Sequence, residues 1–187
     1  MTKEEWLQKL REWGVLREGH FLLTSGRHSA QFLLFAPAFS LPSAAEELGR
    51  AIAELFRGED VETVLGPAMG GVILAHEVAR ALGVRSIYAE KAEGSMTLKR
   101  GFALHPGERV LAVEDAVSTG GSVAKVLDIC RSAGAHIVGA GVICDRAGGQ
   151  VDLGVPLRAL LTLSIPSWTP EECPLCHDGV PLARPKA

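Results

Sequence analysis

The chain opens with apolar positions at helical spacing and then changes rhythm several times. Trp6, Leu7, Leu10 and Trp13 recur every three to four residues behind Thr2, a hydroxyl N-cap, and Gly14 ends the predicted helix. Two apolar runs within residues 20–36, HFLLT and QFLLFA, flank the polar turn Ser25-Gly26-Arg27-His28-Ser29, which predicts strand, turn and strand. From Pro42 to Phe56 a helix is expected, with the proline in its first turn and Ala45, Leu48, Ile52 and Leu55 facing inward.

Beyond residue 60 the pattern alternates regularly. Residues 61–66, 84–90, 108–115, 136–145 and 157–164 read as buried strands, while 70–82 and 122–133 read as helices stopped by Gly83 and Gly134. This strand-helix-strand order predicts an α/β protein with a parallel sheet covered by helices on both faces. Between Glu90 and Gly101 the segment KAEGSMTLKR is polar, cationic at both ends and unpatterned, and is expected to be a mobile loop. The tail from Pro166 is proline-rich and without period, as in a surface extension.

A length of 187 residues suits one domain with at most a small appendage, and 47% apolar with 22% charged residues supports an ordinary core. The net charge of -3 argues against a non-specific binder of nucleic acid or acidic membranes, so any phosphate site must be local. No apolar run approaches the ~18 residues of a membrane span, and the first residues lack the apolar stretch of a signal peptide. A cytoplasmic protein with reduced thiols is expected, Cys130 and Cys144 occupying core positions. Cys173 and Cys176 precede His177 in a CxxCH pattern. Haem attachment does not fit without an export signal, and a closed zinc site needs four ligands where only His177 is nearby. The pair therefore reads as free thiols in a tail turn, zinc requiring distant partners or a second subunit.

The most informative stretch is VLAVEDAVSTGGS, residues 110–122, in which a buried strand ends in two carboxylates and a short polar turn. In open parallel sheets ligands bind at the carboxyl ends of strands, where helix N-termini present unpaired amides. Ser118-Thr119-Gly120-Gly121-Ser122 can wrap a phosphate monoester, because glycines allow a close backbone approach and the hydroxyls add donors. Glu114 and Asp115 would repel a bare phosphate, but they can accept hydrogen bonds from vicinal sugar hydroxyls or hold water on a magnesium ion. The ligand so described is a phosphorylated ribose; the plain alternative is a polar strand end with an ordinary helix cap. Gly66-Pro67-Ala68-Met69-Gly70-Gly71, again between strand and helix, can offer amides to a second anion.

Hydrophobic strand, acidic pair, short linker, TGG and a hydroxyl residue together resemble the 5-phosphoribosyl-1-pyrophosphate motif of the type I phosphoribosyltransferases, with Glu114 replacing the commoner aspartate. FLLTSGRHSAQFLL (21–34) and GVICDRAGG (141–149) are similar to the hood signature and a sheet strand of the orotate-using branch. The resemblance implies a mostly parallel sheet flanked by helices with a small hood: residues 1–40 as N-terminal helix and hood, 41–165 as the core and 166–187 as the tail. It implies transfer of phosphoribosyl from 5-phosphoribosyl-1-pyrophosphate to orotate, giving orotidine 5'-monophosphate and pyrophosphate in pyrimidine synthesis. Rival readings are a purine or uracil enzyme of the same fold, or a non-catalytic sensor of the donor.

By the same resemblance Glu114, Asp115, Ala116, Val117, Ser118, Thr119, Gly120, Gly121 and Ser122 bind the donor with Lys91, Ala68, Met69 and Gly70. Lys91, Lys99, Arg100 and Asp115 are implied to be catalytic, the three cations closing over pyrophosphate. Ser118, Arg146, Phe32 and Ser25 are implied to bind orotate, Arg146 by pairing with its carboxylate. Mg2+ is the implied cofactor, held by donor and water with Asp115 reaching it through water. The implied assembly is a homodimer sharing its active-site loop. The pattern departs from that branch at Thr24, Leu33 and Gly70, where lysine, a second aromatic and lysine are common.

Overall fold

The computed structural model describes residues 1–23 and 25–185, so Thr24 lies outside the described residues. In chain order the elements begin with α1 (Lys3–Glu12), β1 (Leu16–Leu22), β2 (His28–Leu33), α2 (Ala36–Phe39) and α3 (Pro42–Leu55). They continue with β3 (Thr63–Pro67), α4 (Gly70–Leu82), β4 (Arg85–Ala92), β5 (Ser95–Leu98) and β6 (Arg109–Val117). The last four are α5 (Gly121–Ser132), β7 (His136–Asp145), β8 (Leu157–Thr162) and α6 (Pro174–His177).

These elements fall into two compact units, Met1–Ala38 with Ser164–Ala187, and Phe39–Leu163. In the first, Thr2 starts α1 through a reciprocal box: Glu5 N donates to Thr2 Oγ1 at 3.2 Å and Thr2 N donates to Glu5 Oε2 at 2.7 Å. β1 and β2 form the expected antiparallel hairpin. Residues from the tail pair with it. His28 and Trp168 exchange backbone hydrogen bonds of 2.8 and 2.9 Å, and Leu22 N and Ala183 N bond the carbonyls of Ala183 and His20 at 3.0 and 2.7 Å. The tail thus extends the hairpin's hydrogen bonding.

The second unit is a six-stranded sheet in the order β5-β4-β3-β6-β7-β8. β4, β3, β6, β7 and β8 run parallel, and only β5 is antiparallel to its neighbour. β3 and β7 are buried nearly throughout, as expected for strands covered on both faces. Alternation sends Leu65, Ile87, Ala89, Val110, Ala112 and Ala140 into one layer with Val123, Val126, Leu127 and Cys130 of α5. α3 and α4 contact each other, and both contact the sheet, α3 over β7 and β8 and α4 over β3, β4 and β6. Among the described residues no helix is long and apolar enough to cross a membrane.

The segment 91–100 differs from its expectation as an unpatterned loop. β4 runs on to Ala92, and the chain turns at Glu93-Gly94 and returns as β5, Ala92 pairing with Ser95 and Lys91 with Met96. Gly94 has φ +67, as a two-residue hairpin turn demands. Met96 and Leu98, two residues apart, are partly buried against the α5 layer, a period-two alternation only two apolar residues long.

Candidate active site

The sheet's order reverses between β3 and β6: chain connection proceeds from β3 outward to β4 on one side and from β6 outward to β7 on the other. A crevice at the carboxyl ends of strands is the expected outcome of such a switch point. Four adjacent strands deliver most of the sequence-predicted residues to that edge. Lys91 stands near the end of β4, Ala68, Met69 and Gly70 follow β3, residues 114–122 end β6 and enter α5, and Arg146 follows β7.

The two ends of β6 treat their carboxylates differently. Just before the strand, Glu108 accepts hydrogen bonds from Thr63 Oγ1, Arg85 Nη2 and His105 N at 2.5, 2.6 and 2.9 Å. Against the cost of burial, these partners hold its carboxyl below the ordinary range. At the carboxyl end, Glu114 is buried and Asp115 half-buried, and among the described residues each carboxylate accepts a hydrogen bond from one backbone amide. Burial pushes the Glu114 carboxyl up to about 8, reinforced by the neighbouring charge of Asp115 and opposed by the Asp115 amide and by Lys91. Burial also raises Asp115, opposed by the Ala116 amide at 2.6 Å. Two desolvated carboxylates with acceptor capacity to spare are primed for hydroxyl donors or a hydrated cation.

Beyond them the chain turns at Gly120, whose φ of +78 suits glycine, and starts α5. Val151 Cγ1 and Leu153 Cδ2 would lie 2.8 and 3.0 Å from a Cβ at Gly120, so space as well as backbone angle selects glycine. Residues 116–123 enclose a concavity of about 60 Å3, larger than one water requires. Ser118, Thr119, Gly121 and Ser122 are exposed there, and the first amides of α5 have no helical carbonyl to bond. Next to it, a cleft of about 500 Å3 is bounded by Lys91, Ser95 and Met96 of the hairpin and by Thr119, Ser122 and Lys125. Lys125 was missed in the sequence; its only signal is one helical turn from Gly121, where a long cation can reach back over the turn.

The strand-helix turn after β3 crosses close to the acidic pair. The peptide bond between Ala68 and Met69 is cis, Met69 is exposed, and Ala68 N donates to Ala89 O at 2.7 Å. Gly70 lies against Asp115, which leaves no room for a side chain of any length without displacing that carboxylate.

Arg146 N donates to Val117 O at 2.8 Å, which fixes this residue beside the end of β6. The Asp145 carboxylate accepts from Ala147 N and Gly149 N at 2.8 and 2.7 Å, so it ties down its own loop rather than the arginine. Among the described residues, Arg146 Nε is a buried side-chain nitrogen with no hydrogen-bond partner. A buried guanidinium nitrogen without a partner is an exception among native structures and leaves donor capacity unmet. Arg100, by contrast, is engaged: its Nε donates to Glu90 Oε1 at 2.6 Å. Lys91 and Lys99 are exposed. Ser25 and Phe32 belong to the other unit; Ser25 is exposed and the half-buried Phe32 ring lies 5.8 Å from that of Phe21.

Residues 39–154 match the phosphoribosyl transferase domain. The chain belongs to the phosphoribosyl transferase family. It is 49% identical over 185 residues to the orotate phosphoribosyltransferase of Pelotomaculum thermopropionicum, covering 99% of this chain and 97% of that one. To the orotate phosphoribosyltransferase of Thermotoga maritima it is 49% identical over 176 residues, 94% of each chain. The crystal structure of orotate phosphoribosyltransferase from Aeropyrum pernix superposes with a TM-score of 0.69 at 28% identity, over 83% of this chain and 92% of that one.

Proposed function

We propose that this protein is an orotate phosphoribosyltransferase, joining the phosphoribosyl group of 5-phosphoribosyl-1-pyrophosphate to N1 of orotate. The bond from ribose carbon 1 to pyrophosphate oxygen breaks with its electron pair leaving on pyrophosphate, the carbon-nitrogen bond forms, and the N1 proton is lost. Near-full-length identity to enzymes of that name supports the reading. The structural observation that carries it is Arg146, whose buried Nε lacks a partner at the edge where the 118–122 turn opens. A carboxylate on the acceptor base satisfies that guanidinium; a neutral purine offers none.

In this reading the 118–122 turn and α5 amides hold the 5'-phosphate, while Glu114 and Asp115 accept from the ribose hydroxyls. Ala68, Met69 and Gly70 face pyrophosphate, and Lys91, Lys99 and Arg100 neutralise it, Arg100 exchanging Glu90 for the ligand. Positive carbon 1 and departing pyrophosphate are stabilised by fixed groups rather than by a protein nucleophile. The acidic pair also suits a hydrated divalent cation, because among the described residues neither desolvated carboxylate forms an ion pair; Asp115 would hold Mg2+ through water. When bound, the ion supplies charge neutralisation to the leaving group. Ser118 contacts the base, and Ser25 and Phe32 are assigned to it on the resemblance of their motif. A homodimer sharing the 91–100 segment and a cytoplasmic location complete the reading on the same ground.

The test measures pyrophosphate release with orotate, uracil, adenine and hypoxanthine in parallel, with and without magnesium. Orotate with magnesium is expected to turn over alone. Turnover of a purine with orotate inert would overturn the assignment.

A further inference from the structure

The tail cysteines do not stand alone. His20 of β1, His28 of β2, Cys173 and Cys176 bring one ligand atom each to within 4.8 Å of one another. His177, the neighbour that the CxxCH pattern points to, is not among them; its Nε2 lies 3.2 Å from the Glu171 carbonyl. Three of the four are buried, His20 at 2%, His28 at 5% and Cys173 at 0% exposure, while Cys176 is exposed and leaves a route inward.

The distances have the dimensions of a coordination shell. His20 Nε2 is 3.0 Å from His28 Nδ1, 3.4 Å from Cys173 Sγ and 3.7 Å from Cys176 Sγ, and His28 Nδ1 is 3.2 Å from Cys176 Sγ. Tetrahedral zinc, with bonds of ~2.0–2.1 Å to nitrogen and ~2.3 Å to sulfur, spaces its ligands by about 3.3 Å for two nitrogens and about 3.6 Å for nitrogen and sulfur. Hydrogen bonding alone accounts poorly for the convergence. His20 Nδ1 lies 2.8 Å from the Val180 carbonyl, which can only accept, so Nδ1 carries the hydrogen and Nε2 presents a lone pair. Three potential donors then compete for that single lone pair. A cation at the centre uses all four lone pairs at once.

Backbone supports hold the ligands in place. Val180 N donates to Leu175 O at 2.9 Å and Cys176 N to Cys173 O at 3.2 Å, which closes the cysteine knuckle and aims the Val180 carbonyl at His20. Such a carbonyl on the far nitrogen is the usual way to fix the tautomer of a ligating histidine. The hairpin and tail that carry the four ligands are already joined by hydrogen bonds through Trp168 and Ala183.

We propose that His20, His28, Cys173 and Cys176 form a structural Cys2His2 zinc site that staples the C-terminal tail to the N-terminal hairpin. Two thiolates and two imidazoles in a closed tetrahedral set favour zinc over the hard, oxygen-seeking cations. Binding displaces both thiol protons to solvent and leaves zinc in its single oxidation state.

Full-length protein produced in zinc-supplemented medium is expected to carry one zinc per chain by elemental analysis. Apoprotein titrated with Co2+ should develop the visible absorption of a tetrahedral site together with thiolate charge transfer. Cys176→Ser, which removes the exposed ligand itself, should lower zinc affinity by more than the roughly 10- to 100-fold that loss of a partner behind the ligands costs. His177→Ala should leave content and spectrum unchanged. Zinc-free protein whose apo form gives no tetrahedral cobalt spectrum would overturn the proposal. So would loss of metal in His177→Ala with retention in Cys176→Ser. The cobalt titration needs no variant, so a misfolded mutant does not shield the proposal.

Discussion

Gly70 faces Asp115 so closely that a methyl group added to the glycine would lie 2.8 Å from Asp115 Oδ2 and 3.5 Å from Glu114 Oε1. Asp115 can yield only by bending or giving up the 2.6 Å bond that Ala116 N donates to Oδ1. Overpacking of this kind costs about 1–3 kcal/mol, and here the strain falls on the proposed ribose contact. Gly70→Ala should raise the dissociation constant for 5-phosphoribosyl-1-pyrophosphate by roughly tenfold or more. Calorimetric titration checks it, and unchanged donor affinity would remove Asp115 from that contact.

The raised Glu114 carboxyl makes a pH prediction with a definite sign. Its ordinary value is 4.5 and its folded value about 8, so between these the folded chain holds a proton that the unfolded chain has lost. Stability from this group is therefore full below about 4.5 and lost as pH rises through about 8. Glu114→Gln, which cannot ionise, should flatten the decline in urea-unfolding free energy across that window. Donor affinity should rise in the parent as pH passes through about 8, where folded Glu114 ionises to accept the ribose hydroxyls, and the glutamine variant should lose this dependence.

Much of the second unit was legible because its code is local. The predicted helix over 70–82 and strand over 136–145 coincide with α4 and β7, since glycine stops and unbroken apolar runs set their ends. The turn 118–122 was readable for the same reason: hydroxyls and glycines adjacent in sequence are adjacent in space. The hairpin at Glu93-Gly94 was hidden because only Met96 and Leu98 carry its alternation, two apolar positions in a short polar segment. The cluster at His20 was out of reach, because 153 residues separate it from Cys173 and only the antiparallel hairpin and the returning tail join them. The crowding of Gly70 by Asp115 likewise follows from β3 lying beside β6, a neighbourhood that sequence order does not state.

Arg146 separates base recognition from donor binding. Losing hydrogen bonds to a charged group costs about 1.5–3 kcal/mol, so Arg146→Ala should raise the KM for orotate by roughly 10- to 100-fold with little change in the KM for the donor. Arg146→Lys should recover only part of this, because an ammonium cannot pair with the carboxylate through two parallel bonds. Steady-state kinetics with each substrate varied decides it, and equal loss for both substrates would count against the role.

Lys91 offers two readouts from one substitution. Its charge already acts on the acidic pair, lowering the Glu114 carboxyl against the burial that raises it. Removing that charge should push the Glu114 transition in the donor-affinity profile to higher pH. If the same ammonium also neutralises departing pyrophosphate, Lys91→Ala should lower kcat by roughly 100-fold, the scale of losing one preorganised donor to developing charge. Arg100→Ala should cost less, because part of the Arg100 interaction is spent on Glu90 before any ligand arrives. A shifted pH profile with unchanged kcat would leave Lys91 an electrostatic neighbour of Glu114 and remove it from the catalytic set; an unchanged profile with reduced kcat would separate it from Glu114 instead. Stopped-flow turnover and calorimetry on the same variant, each across the pH range, distinguish these outcomes.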